Sequence, residues 1–207
     1  MPYTAETLAW LARTSLFKHE PGARRYLLHA RTAMGDTALA AAAAGGQADM
    51  LYELYLAGVQ AVDVANRFGA TPLHVAAARC RFGAAHALVQ LGCDVDARKA
   101  DGETALHVAA SRGDWETALV LVRAGAGAAV RSASGRTALH RAVEGGQVEI
   151  AALLLDAGAS IWTQDALGYC PATLAVFNAV QPSRAGWGRG VLNLFAERGL
   201  LWNLRGR

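Results

Sequence analysis

The chain has 207 residues, of which 53% are hydrophobic and 18% charged, with a formal net charge of +3. This composition is typical of a protein with a sizeable apolar core, and no stretch is long and apolar enough to predict a membrane-spanning helix. The first residues lack the basic region of a secretory signal peptide, so we expect none. Three cysteines without C-x-x-C spacing predict neither a disulfide framework nor a zinc site and favour a reducing compartment.

The positive charge is concentrated at the two ends of the chain. Residues 1–32 carry five basic and two acidic side chains, residues 33–180 carry ten and fourteen, and residues 181–207 carry five and one. Eighteen of the twenty basic residues are arginine, which suits bidentate or stacked contacts. A GC-rich genome is the simpler explanation of that bias.

The first element along the chain is a pair of candidate helices, Ala5–Phe17 and Pro21–His29. Leu8, Leu11 and Ala12 put apolar side chains on one face of the first. We predict that residues 1–31 form an N-terminal helical cap.

A nearly identical segment then recurs every 33 residues. The three clearest copies are Thr71–Ala77 (TPLHVAA), Thr104–Ala110 (TALHVAA) and Thr137–Val143 (TALHRAV). The glycine two residues before each copy belongs to a longer series, which is Gly35, Gly69, Gly102, Gly135 and Gly168. A fixed period of this length predicts a stack of one supersecondary unit.

Each residue type in the repeated unit has a structural reason. The glycine permits a tight turn, the threonine caps a first helix, and alanines such as Ala76 and Ala77 let neighbouring helices approach closely. A turn at Gly113 or Gly146 leads into a second helix with apolar residues at helical spacing. About ten residues then extend to the next unit.

The pattern Gly-x-Thr-Pro/Ala-Leu-His-x-Ala and the Leu-Leu-x-x-Gly-Ala ending at Leu154–Ala159 resemble the ankyrin-repeat family. The resemblance implies an all-α, helix-turn-helix solenoid with short β-hairpin fingers, whose fingers and inner helices form a concave face. The predicted repeats are 32–65, 66–98, 99–131, 132–164 and 165–200, followed by a basic tail, 201–207.

The outer units depart from the pattern. The first has Thr37-Ala-Leu-Ala without the histidine, and the fifth has Cys170-Pro-Ala-Thr. The fifth also carries an insertion at about 180–190 that contains Trp187 between glycines. This segment is either a recognition loop or a lid that folds onto the cap, and the area that a docked tryptophan buries favours the lid.

His74, His107 and His140 stand in a row at the repeat spacing. Adjacent helices pack about 10 Å apart, too far for two imidazoles on one ion, so we favour a tethering hydrogen bond to the backbone of the next unit over a metal site. Cys93 stands where later units have Ala126 and Ala159, so buried filler is favoured over a reactive thiol.

No catalytic, metal or phosphate-binding motif occurs, and we predict a non-catalytic module without cofactor that binds another protein. We expect a scaffold, adaptor or inhibitor in the cytoplasm, and the sequence is also compatible with a nuclear location. Its candidate contacts lie on finger tips and exposed edges of first helices, with Trp187 added from the insertion. They are Arg67, Phe68, Arg79, Asp101, Glu103, Arg112, Arg136, Arg141, Glu144, Leu167, Tyr169, Phe177 and Trp187.

Two alternatives remain open from the sequence. One is an enzyme with a small site near the insertion, for which Asp165, His140 and Glu197 are the nearest titratable groups. The other is binding of nucleic acid or an acidic membrane through basic termini, disfavoured because the arginines are not gathered in one stripe. Those arginines are Arg24, Arg25, Arg184, Arg189, Arg205 and Arg207.

Overall fold

The structure is a computed structural model that describes residues 30–183 and 185–200. Ten helices lie in these residues, whereas extended strands do not occur in them, and none of the ten is long and apolar enough to cross a membrane. The predicted all-α repeat fold is therefore confirmed. The helices are α1 Ala38–Ala44, α2 Ala48–Leu56, α3 Pro72–Ala78, α4 Phe82–Gln90, α5 Ala105–Arg112, α6 Trp115–Arg123, α7 Ala138–Gly145, α8 Val148–Asp156, α9 Pro171–Val180 and α10 Ala185–Glu197.

The chain divides into two compact units, Met1–Ala100 and Asp101–Arg207. In the first unit, α1 packs on α3 and α2 packs on α4. In the second, the first helices α5, α7 and α9 pack in order, and the second helices α6, α8 and α10 do the same. Each helix pair thus covers a face of the pair before it within its unit.

The first helix of each pair begins at a polar cap and buries small residues. Thr71, Thr104 and Thr137 are N-caps in capping boxes, in which the histidine side chain three residues later accepts from the backbone of the cap. The leucine that follows two residues after each threonine is at most 1% exposed. The repeated motif therefore encodes both the start of the helix and its packing.

The fingers between helix pairs are tight turns. In the fifth finger, Asp165 N–H donates to Tyr169 O at 2.8 Å and Gly168 N–H donates to Asp165 O at 3.1 Å. Successive fingers within a unit are joined by a backbone bond, such as Ala166 N–H to Ser134 O at 2.9 Å. The predicted hairpin fingers are present as these turns, and the described part of the chain has no β-strand beyond a single β-bridge residue at Thr32.

The extra residues of the fifth repeat extend its helices. α9 has 10 residues and α10 has 13, compared with 8 in α7 and 9 in α8. Residues 185–190 form the first turns of α10, so the alternative of a loop at these residues is wrong. The physical reason is close packing, since a Cβ placed on Gly188 would lie 2.1 Å from the backbone N of Ala179 in α9. The glycines permit two helices to approach.

Two predicted elements lie outside the described residues. They are the helical cap, with its candidate helices Ala5–Phe17 and Pro21–His29, and the basic tail 201–207.

Candidate functional site

The histidines of the repeated motif bridge neighbouring repeats. His107 Nε2 lies 3.0 Å from Arg136 O, and His140 Nε2 lies 3.1 Å from Tyr169 O. Because Nδ1 of each ring accepts the backbone N–H of the capping threonine, Nε2 carries the proton and donates to the carbonyl oxygen. The predicted tether is present at both positions, and it uses the hydrogen-bonding capacity of both ring nitrogens.

Burial lowers the pKa of His140, although its bond to the carbonyl of Tyr169 and the nearby carboxylates act in the opposite direction. The imidazole is 0% exposed. A neutral ring is the form that this site requires, because a proton on Nδ1 would face the N–H of Thr137.

Five charged side chains form a continuous series across the third, fourth and fifth repeats, which we call the ion-pair chain. Glu103 accepts from Arg141 Nε at 2.7 Å, and Arg141 Nη1 also donates to Glu144 at 3.3 Å. Glu144 accepts from Arg136 Nη1 at 2.5 Å, and Arg136 Nε donates to Asp165 at 3.2 Å. Acidic and basic groups alternate, so each charge has an opposite neighbour.

The two ends of the ion-pair chain are the best shielded from solvent. The side chain of Asp165 is 1% exposed and that of Glu103 is 11% exposed. Burial opposes ionisation of Asp165, but the backbone N–H groups of Tyr169 and Leu167 together with Arg136 lower its pKa. Burial likewise disfavours the charge of Arg141, and Glu103 and Glu144 nevertheless raise its pKa. Both residues therefore stay charged near neutral pH.

The ion-pair chain changes the interpretation of four predicted contact residues. The structure brings Glu103, Arg136, Arg141 and Glu144 together, and their charges are compensated within the protein. Glu103 was expected to be exposed and is 9% exposed, because Arg141 covers it. These side chains bond to one another across neighbouring repeats, which leaves less of their surface for a partner.

The fifth repeat replaces this polar surface with an apolar one. Tyr169 and Phe177 occupy the positions that Arg136 and Glu144 hold one repeat earlier, and they are 49% and 58% exposed. Leu167 at the finger tip is 75% exposed. We call Leu167, Tyr169 and Phe177 the apolar patch. Exposed aromatic residues beside paired charges are the composition of a binding hot spot with a polar rim.

Comparison with known proteins agrees with this repeat architecture. The family model described as ankyrin repeats (3 copies) matches residues 11–99 and 80–165. The chain belongs to the ankyrin-repeat family. A search of curated proteins found no match. Ankyrin repeats are generally protein–protein interaction modules and typically not catalytic.

The other predicted contacts lie on the surfaces of both ankyrin units. In the first unit, Arg67 and Arg79 are exposed and Phe68 is 61% exposed. In the second unit, Asp101 and Arg112 are exposed. The structure confirms that these side chains reach the surface, and their role as contacts remains a prediction.

Trp187 lies on α10 against the turn between α7 and α8. Its Cβ and ring occupy the space that a Cβ on Gly146 would need, the nearest atom being 2.5 Å from that position. Half of the side chain remains exposed, at 51%. The residue therefore packs with one face and leaves the other open.

Neither the buried cysteine of the second repeat nor the described histidine and acidic side chains form a reactive or metal-binding group. Cys93 is buried, and burial with nearby Asp63 and Asp94 raises the pKa of its thiol to about 12. The thiol is therefore protonated and unreactive at neutral pH. Within residues 30–183 and 185–200, no three His, Cys, Asp or Glu side chains are grouped to hold a metal ion.

The residues named for the enzyme alternative and for the nucleic-acid or membrane alternative lie at different places in the structure. Asp165 and His140 are bonded within the ion-pair chain and the histidine tether, and Glu197 is exposed on α10. Arg189 is exposed on α10. The other five arginines of that alternative lie outside the described residues; they are Arg24, Arg25, Arg184, Arg205 and Arg207.

Asp165 is a structural residue that the repeat pattern alone did not single out as a contact. Its Oδ1 accepts from Leu167 N and Tyr169 N at 2.9 Å each, as Asn66 Oδ1 does in the second repeat from Phe68 N and Ala70 N. The signal was available as a short polar side chain three residues before the finger glycine.

Proposed function

We propose that the chain is a non-catalytic protein-binding module, acting as a scaffold, adaptor or inhibitor in the cytoplasm. The apolar patch is its principal contact, and the ion-pair chain forms a rigid polar border beside it. The observation that supports this proposal is the replacement of a bonded Arg136–Glu144 pair by exposed Tyr169 and Phe177 at equivalent positions. Solvated charges are a stable surface for such a helix, whereas exposed aromatic side chains gain by burial against a partner.

The finger and helix-edge residues contribute further contacts in this proposal. In the first unit these are Arg67, Phe68 and Arg79, with Phe68 as the apolar anchor. In the second unit Asp101 and Arg112 supply charge, and Trp187 offers its exposed half. The four residues of the ion-pair chain that were predicted as contacts present only their partly exposed edges.

The test compares proteins captured by the wild-type chain with those captured by Tyr169→Ser/Phe177→Ser. The matched control is Trp115→Ser, which removes a side chain of 43% exposure from α6 in the same unit. All three proteins must have the same helical circular dichroism spectrum. We expect the double variant to lose specific partners that wild type and control retain. Identical partner sets for all three would refute the assignment of the apolar patch.

A further inference from the structure

The second unit exposes a helix face that its other repeats bury. On α7, His140 and Val143 are 0% and 1% exposed, because α9 packs against that helix. One repeat later, Thr173 and Val176 hold the equivalent positions on α9, and both are exposed, Val176 by 44%. Val180 continues the same stripe and is 76% exposed.

The exposed face of α9 lacks the side chain that would bond to a further repeat of the same kind. Where His140 donates to the next finger, Thr173 turns its hydroxyl inward, donating to Cys170 O at 2.8 Å and accepting from Cys170 N at 3.0 Å. The face therefore presents valines and no unsatisfied threonine hydroxyl. The face thus corresponds to the surface of α7 that α9 covers, but without the histidine tether.

The neighbouring helix α10 carries a second stripe on the same side of the unit. Arg189 and Asn193 hold the positions of Val148 and Ala152 on α8, which are less accessible because α10 packs on α8. Glu197 follows Asn193 by one further helical turn. We call Thr173, Val176, Val180, Arg189, Asn193 and Glu197 the end face.

The charges of α10 are complementary to themselves under a twofold rotation. Arg189 and Glu197 are both exposed, and within the described residues neither forms an ion pair. Eight residues of helix separate them by about 12 Å, too far to pair with each other. In an antiparallel pair of α10 helices centred on Asn193, Arg189 of each copy lies opposite Glu197 of the other.

We infer that the end face binds a second copy of this chain. A twofold axis lying between the two faces and perpendicular to the helices sets α9 antiparallel to α9 and α10 antiparallel to α10. Because Gly188 of α10 lies beside Ala179 of α9, an axis level with Asn193 crosses α9 near Thr173. Val176 of each copy then packs against α9 of the other, and the two Arg189–Glu197 pairs close the contact along α10. The equal and opposite charges favour this occupant over a strongly acidic or basic partner.

The test exchanges the two charges separately in the full chain. Sedimentation velocity at about 1 to 200 µM spans the dissociation constants expected of a modest interface. We expect wild type to dimerise within this range, and Arg189→Glu or Glu197→Arg alone to weaken the dimer at least about tenfold, because like charges then meet. An equimolar mixture of the two variants should restore it, since both pairs become Glu–Arg again.

Two further variants separate the end face from other surfaces. Val176→Asp should also give monomers, whereas Leu56→Asp, an equally apolar-to-acidic change at an 82% exposed residue of the first unit, should leave the dimer intact. A wild-type chain that remains monomeric up to about 200 µM overturns the inference. So does a dimer that neither charge change weakens. The inference is independent of the apolar patch, since Tyr169→Ser/Phe177→Ser leaves all six end-face residues in place.

Discussion

A methyl group added at Gly188 should destabilise the protein, whereas the same methyl group at Gly186 should not. Both glycines lie in the first turns of α10. A Cβ on Gly188 would lie 2.1 Å from the N and 2.5 Å from the Cα of Ala179, both backbone atoms of α9 that cannot rotate aside. A Cβ on Gly186 would meet no atom within 4 Å. The two substitutions differ only in what faces the added carbon.

Two opposing contributions set the magnitude. Overpacking against a fixed neighbour costs about 1–3 kcal/mol, and replacing a helical glycine by alanine stabilises by about 0.5–1 kcal/mol. An approach of 2.1 Å to a backbone atom places the cost at the upper end of that range, so Gly188→Ala should lower the free energy of unfolding by about 2 kcal/mol. Gly186→Ala should raise it by up to about 1 kcal/mol. In a chain of this length, about 1 kcal/mol corresponds to about 2–4 °C in Tm.

The measurement is urea and thermal unfolding of both variants followed by circular dichroism at 222 nm. We expect their midpoints to move in opposite directions from wild type. If both variants are stabilised, α10 does not approach α9 as closely as described. If both are unchanged, residues 185–190 do not form a packed helix, and the reasoning about the fifth repeat is wrong.

Three further predictions concern the buried polar groups and one strained residue. Arg141→Leu should destabilise by about 1–3 kcal/mol because it leaves the Glu103 carboxylate without its cation, and Glu103→Gln added to it should recover most of the loss; equal urea midpoints for single variant and wild type would contradict this. Folding lowers the pKa of His140, so the contribution of this residue to the free energy of unfolding should be constant above the pKa of an unfolded histidine, about 6.5, and should fall as the pH decreases below that value. If His140→Asn leaves the slope of the free energy of unfolding against pH unchanged, this prediction is contradicted. Cys80 has φ 53°, and Gly46 at the equivalent position of the first repeat has φ 71°. Because glycine adopts this conformation without strain, Cys80→Gly should be more stable than Cys80→Ala by about 0.5–1 kcal/mol. A lower urea midpoint for Cys80→Gly than for Cys80→Ala would refute this.

The period and the motif were sufficient to predict the helix pairs. Thr104 and His107 are three residues apart, so their capping box is a local interaction that the sequence reveals directly. The tether to Arg136 O lies 29 residues away, but it follows from stacking identical units at a fixed period. Local chemistry and repetition together therefore carried the prediction of the fold.

The ion-pair chain could not be predicted in the same way. Arg141 and Glu103 are 38 residues apart, which is longer than one period, so their contact depends on side-chain length and helix position. The helix around Gly188 could not be predicted from the sequence for a related reason. Glycines close together usually indicate a loop, and only the backbone of Ala179 explains why a helix needs one there.

Residues that differ between copies of a repeat are natural candidates for partner binding, yet the fourth and fifth repeats show two different uses of variation. Arg136 and Glu144 vary because they bond to each other and to neighbouring repeats. Tyr169 and Phe177 vary at the same two positions and remain exposed. Replacing a bonded charge weakens the stack as well as any contact, whereas replacing an exposed aromatic side chain removes a contact alone. Binding experiments on this protein should therefore begin at the fifth repeat, where loss of affinity is not confounded by loss of stability.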